Sequence, residues 1–156
     1  MTSRTLRAGL AAFWLAAAAF AAPASAHDVT DVAQVVGTGG ISPGLSATAC
    51  LPQRVTFSGT AVNVGDHAGV YSIAFSGGSS GCETVAVGNG TGTLSGGVSG
   101  TVNYSRVGNI VTLTGSGAVN GAAHHITSAV CEFVPTSANP TTSYALHCTV
   151  TLGAGA

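Results

Sequence analysis

Lysine is absent from all 156 residues, and charged residues of every kind make up only 6% of them. Arg4 and Arg7 lie in the first segment, so only Arg54 and Arg106 face Asp28, Asp31, Asp66, Glu83 and Glu132. Two cations cannot neutralise a run of phosphates, which argues against a nucleic-acid partner. The surplus of carboxylates argues equally against an anionic membrane surface. Tryptophan occurs once, as Trp14, and the chain beyond the first segment holds six aromatics: Phe57, Tyr71, Phe75, Tyr104, Phe133 and Tyr144. This excludes an immunoglobulin-type Cys…Trp…Cys core and leaves few stacking surfaces for sugars. Cysteines at short paired spacing are missing too: Cys50, Cys82, Cys131 and Cys148 are 32, 49 and 17 residues apart. A structural zinc site would want Cys-x-x-Cys spacing. No serine-hydrolase elbow is expected, and no cofactor is implied.

What is present begins with an export signal. Arg4 and Arg7 precede an apolar run from Ala8 to Ala22, and Pro23-Ala24-Ser25-Ala26 offers small residues at a cleavage point. Residues 1–26 are read as a signal peptide and 27–156 as a single secreted β-domain, released outside the cell. An even cysteine count in an exported chain implies two disulfides.

Gly, Ser, Thr and Val dominate the rest, and good helix formers are scarce. Period-two alternation places Val55 and Phe57 on one face, and Tyr71, Ile73 and Phe75 on another. Gly108-Asn109 suits a type II′ hairpin turn and Asn120-Gly121 a type I′ turn, with Gly96-Gly97 marking a third. The first of these pairs Tyr104 with Leu113 and Arg106 with Val111. A meander from Val85 to Val134 follows. The Asn120-Gly121 hairpin turns His124 and Ile126 inward, whereas the last hairpin turns Cys131 and Phe133 inward. The parities conflict, so a β-bulge near Ser128 to Val130 is expected.

Residues 126–134 and 143–152 read as strands around a loop holding Pro135 and Pro140. If Cys131 sits opposite Cys148, Phe133 meets Leu146 and Ala129 meets Val150 on the same face. Glu132 then meets His147 outside, and a one-residue slip would break both sets. Directly opposed residues are within disulfide reach. The pairing is therefore Cys131–Cys148, leaving Cys50–Cys82. The fold class is all-β: an antiparallel β-sandwich or small β-barrel of seven to nine strands.

Four stretches, Gly37-Thr38-Gly39-Gly40-Ile41-Ser42-Pro43-Gly44-Leu45, Val55-Thr56-Phe57-Ser58-Gly59-Thr60, Gly90-Thr91-Gly92-Thr93-Leu94-Ser95-Gly96-Gly97 and Thr142-Ser143 through Thr151, resemble an uncharacterised group of small secreted Gly/Thr-rich all-β proteins of actinomycete bacteria. The resemblance spans nearly all of residues 37–152. It implies export and an all-β fold, and supplies no activity or site residue. Composition is also similar to the apoproteins of enediyne chromoproteins, but the cysteine spacings differ and nothing carries over.

Three functions are weighed. The first is a non-enzymatic extracellular domain, structural or binding a protein or small ligand. The second is a copper-binding domain in which His27, exposed by cleavage, chelates Cu²⁺ through its α-amine and ring. Its second ligand would come from His67, His124, His125 or His147. His124 and His125, as neighbours on a strand, point to opposite faces and cannot easily share an ion. The third is a hydrolase using Glu83 and Glu132 as a carboxylate pair. The first is the leading expectation.

Overall fold

Alternation persists through almost the whole chain, and it builds one sheet rather than two. The computed structural model describes residues 31–154. Strands β1 (Asp31–Leu45), β2 (Arg54–Val64), β3 (Gly69–Ser79), β4 (Val87–Gly96), β5 (Val98–Val107), β6 (Ile110–Val119), β7 (Ala122–Pro135) and β8 (Thr141–Ala154) run up and down in sequence order. Each pairs antiparallel with its neighbours, and β1 pairs with β8 from Asp31↔Leu152 to Gly40↔Ser143. The sheet thus closes into an eight-stranded barrel. The sandwich alternative is corrected: a sandwich would leave edges at β1 and β8, and these two strands instead satisfy each other's backbone groups. The meander expected from Val85 onward runs through the entire barrel. The signal segment and His27 lie outside the described residues.

The local expectations hold. Tyr104↔Leu113 and Arg106↔Val111 pair across the β5–β6 hairpin. Gly108 turns with φ 59°, and Asn120 and Gly121 with φ 49° and 82°, so the second turn is type I′. In the last hairpin Cys131 faces Cys148, Phe133 faces Leu146 and Glu132 faces His147. Both expected disulfides, Cys50–Cys82 and Cys131–Cys148, are formed. The bulge falls at Thr127, just before the expected window, because the β7–β8 register shifts between Ile126 and Ser128.

The barrel interior is the core. All six aromatics among the described residues belong to it, Phe57, Phe133 and Tyr144 buried and the others partly buried against them. The outer wall carries Thr56, Thr60, Thr93, Thr101, Thr112 and Thr114, all exposed. So narrow an interior cannot take a large side chain at every level, and glycines supply the gaps. A Cβ at Gly39 would lie 2.1 Å from the Thr56 carbonyl oxygen and 2.4 Å from the Tyr144 ring. One at Gly92 would lie 2.5 Å from the Phe75 ring. Gly39→Ala is therefore expected to lower stability by about 1–3 kcal/mol through overpacking. Urea midpoints check this; an unchanged midpoint would show that the wall gives way freely at that level.

Candidate functional site

Side chains do not fill the barrel completely. A cavity of about 130 Å³ remains, walled by groups such as Val102, Leu113, Ile126, Phe75 and Leu146. Glu83, Tyr104 and Arg106 sit together at one end, and Tyr144, whose hydroxyl donates to the Thr56 carbonyl, also lines the wall. The elements that place them differ. Tyr104 and Arg106 project inward two residues apart on β5, as alternation requires. Glu83 comes from the β3–β4 loop, which the Cys50–Cys82 disulfide and a Leu51↔Glu83 bridge fasten to the β1–β2 loop. Gln53 pins the same cap by bonding both backbone groups of Gly44, at 2.8 and 3.0 Å.

Glu83 is 2% exposed and Arg106 3%. The Tyr104 hydroxyl donates to Glu83 Oε2 at 3.0 Å, and Arg106 Nη2 stands 3.8 Å from Glu83 Oε1. Arg106 Nη1 donates to the carbonyls of Val85 and Gly108 at 3.0 and 3.1 Å, and Nη2 to that of Thr84. Its guanidinium lies 5.2 Å from the Phe133 ring centre. Its Nε is buried with no hydrogen-bond partner. Burial pushes the Glu83 carboxyl above its usual range, against the opposing pull of Tyr104 and Arg106. Burial also raises the Tyr104 phenol, and the adjacent Glu83 charge raises it further. Tyr144 is raised by burial and, secondarily, by Glu83. Burial disfavours the Arg106 cation, which Glu83 and Tyr104 offset, and a guanidinium keeps its proton regardless.

No family model, curated protein or solved structure matches this chain. The chemistry is read from geometry alone.

A second polar cluster occupies the opposite end. Asp31 opens β1, His67 lies in the β2–β3 turn and His124 lies near the start of β7. His124 Nε2 and His67 Nδ1 are 3.2 Å apart, and His67 Nδ1 is 3.7 Å from Asp31 Oδ2. Asp31 is fully buried. Burial opposes its ionisation, but hydrogen bonds from Asn63 and from the Asp66 and His67 amides, with the nearby His124, hold its carboxyl below the usual range.

Of the candidate histidines, the structure brings together His67 and His124. His125 is exposed on the outer wall, confirming that it and His124 point apart. His147 is also outside, 3.2 Å from Gln34 Oε1. Glu83 is inside the barrel, whereas Glu132 is exposed on the outer wall beside His147, so the two carboxylates share no cleft. Gly77-Gly78-Ser79-Ser80-Gly81 does spell Gly-x-Ser-x-Gly, contrary to expectation. It ends β3 with no helix following among the described residues, and Ser79 Oγ contacts the Gln53 backbone. An elbow needs a strand-to-helix turn. Sequence reasoning missed Arg106, Tyr104, Asp31 and Asn63 as site residues. For the first two the signal was their inward parity on β5.

Proposed function

We propose that this domain is a non-enzymatic extracellular carrier of a small, mostly apolar molecule bearing one hydrogen-bond acceptor. The observation that carries the reading is the apolar cavity of about 130 Å³ with Arg106 at its polar end. An apolar cavity of about 150 Å³ stays dry and admits benzene. Drug-sized ligands occupy about 300–1,000 Å³, so the occupant is a molecule of one ring or a short chain. Arg106 Nε is buried without a hydrogen-bond partner on a side chain that lines this cavity, which supports an acceptor on the ligand. Satisfying a buried donor is worth about 1–3 kcal/mol.

Export is supported by two disulfides, which persist in oxidising compartments. An unbound, water-borne barrel is supported by the inward placement of every aromatic among the described residues, since membrane barrels carry aromatic girdles on the outside. The outer wall itself mixes exposed threonines with exposed Val36, Val62, Val64 and Val130. A carboxylate-pair hydrolase has no support from the positions of Glu83 and Glu132.

The test compares toluene with benzaldehyde, followed through backbone amide shifts. Both are expected to perturb β5 and β6, with benzaldehyde the tighter by about 1–3 kcal/mol. Leu113→Trp, which fills the cavity, is expected to abolish both. If neither molecule shifts any cavity residue at millimolar concentration, the barrel is a structural module instead.

A further inference from the structure

We infer that Asp31, His67 and His124 form a binding site for one divalent transition-metal ion, with the chemistry of zinc. The site is separate from the cavity reading above and stands or falls independently of it.

The first argument is geometric. A tetrahedral zinc ion holds its ligands at about 2.0–2.2 Å, which sets ligand atoms about 3.4 Å from one another. The observed separations of 3.2 Å between the two ring nitrogens and 3.7 Å between His67 Nδ1 and Asp31 Oδ2 straddle that value. All three donor atoms lie within 4.8 Å of each other. They come from three different segments, so their convergence is a product of barrel closure and not of local sequence.

The second argument lies in what surrounds the donors. A ligating histidine normally gives its other N–H to a carbonyl or carboxylate, which fixes its tautomer. His124 Nδ1 is 3.3 Å from the Gly153 carbonyl oxygen. With the proton on Nδ1, the lone pair on Nε2 points at His67. The Asp31 carboxylate is fixed in place through both oxygens: the Asp66 amide donates to Oδ1 at 2.7 Å, and Asn63 Nδ2 and the His67 amide donate to Oδ2 at 2.8 and 3.2 Å. The turn carrying His67 is pinned by donors from Tyr71 Oη and Asn63 Nδ2 to its carbonyl, at 2.8 and 2.9 Å. Asn63 is 4% exposed and its Oδ1 is buried without a partner.

The third argument is electronic. Without metal, the short His67–His124 contact requires one proton between the rings, donated by His67 Nδ1 to the His124 lone pair. Zinc takes the place of that proton, and His67 carries its proton on Nε2 instead. His67 is about one-third exposed, which gives an ion its route in. Two imidazoles and one carboxylate suit zinc and its first-row neighbours, whereas Ca²⁺ and Mg²⁺ want oxygen donors.

The experiment uses untagged, chelator-treated protein titrated with zinc sulfate by calorimetry near neutral pH. One ion per chain is expected. His67→Ala and Asp31→Asn are each expected to weaken binding by more than about 100-fold, beyond what a supporting residue costs. His147→Ala, on the outer wall, is expected to leave affinity unchanged. Should Asp31→Asn fail to fold, ¹⁵N spectra of the wild-type histidine rings replace it, with zinc expected to move the His67 proton from Nδ1 to Nε2. Weak, non-stoichiometric binding would overturn the site. So would wild-type affinity in His67→Ala, or an unchanged His67 tautomer at saturating zinc.

Discussion

Arg106→Met is expected to lower the unfolding free energy by about 3–5 kcal/mol, the usual cost of stripping one partner from a buried charge pair. Three losses coincide. Glu83 is left at 2% exposure with the Tyr104 and Ser79 hydroxyls as its remaining partners and no counter-charge. The carbonyls of Thr84, Val85 and Gly108 lose the donor that ties the β3–β4 and β5–β6 turns together. The Phe133 face loses its cation. Glu83→Gln in the same chain is expected to restore most of the deficit, because a neutral amide needs no counter-charge. The pH dependence separates charge from packing. Burial raises the Glu83 carboxyl in the folded state. Its contribution to stability is therefore complete below the unfolded carboxylate range and is lost as pH rises through the folded value. In Arg106→Met the opposing cation is gone, so the loss extends to higher pH. In Glu83→Gln it disappears. Urea midpoints across the acid-to-neutral range read all of this. If the single and double variants prove equally stable at every pH, the ion pair contributes nothing and the effect is packing alone.

The hairpins were readable because their residues announce themselves. Asn120-Gly121 demands positive φ at both positions, and Phe133 opposite Leu146 fixes a register that a slip would ruin. Closure was not readable. It depends on residues 31–40 meeting 143–152, and the β1 side of that seam includes Gly37, Gly39 and Gly40, which carry no side chain to reveal a face. The large groups that reveal the register there, Phe57 and Tyr144, lie on other strands and fill the space over Gly37 and Gly39 respectively. The bulge was required by parity, and only its place moved, to Thr127.

The two polar clusters divide the same way. Arg106 shares the inward face with Tyr104, so alternation alone puts a guanidinium in the core and implies a buried partner. Which carboxylate answers it is set by a loop that Cys50–Cys82 holds down, and loops have no period to read. Asp31, His67 and His124 are scattered along the chain and meet because closure brings the starts of β1 and β7 to either side of the β8 terminus. No spacing rule could have joined them. Alternation separated His124 from His125, and the Asn120-Gly121 hairpin identified His124 as the one that faces inward.

Replacing Cys131 and Cys148 together by Ala is expected to cost more than replacing Cys50 and Cys82, even though loop entropy argues the reverse. Closing a loop of about 15 residues is worth about 3 kcal/mol and a longer one somewhat more. The separations are 17 for Cys131–Cys148 and 32 for Cys50–Cys82. Burial reverses the order. Cys131 and Cys148 are 0% and 1% exposed within the core, so truncation removes sulfur from a packed interior and adds a cavity cost to the entropic one. Cys50 and Cys82 are exposed, and alanine there leaves no void. The expected losses are about 5 kcal/mol for the inner pair and about 3.5–4 for the outer. The outer bridge carries a different consequence. It clamps the loop that delivers Glu83 into the barrel mouth, so its loss frees that carboxylate to reach water. The decline of stability with rising pH that Glu83 imposes should then shrink, while the strand content of the barrel stays unchanged. Mild reductant, which reaches exposed sulfur first, should reproduce this phenotype without any mutation. Mass analysis after alkylation identifies the bridge that opened, and urea midpoints at two pH values read the rest. A greater loss from the outer pair, or a pH profile unchanged by its removal, would show that the cap holds Glu83 without the disulfide.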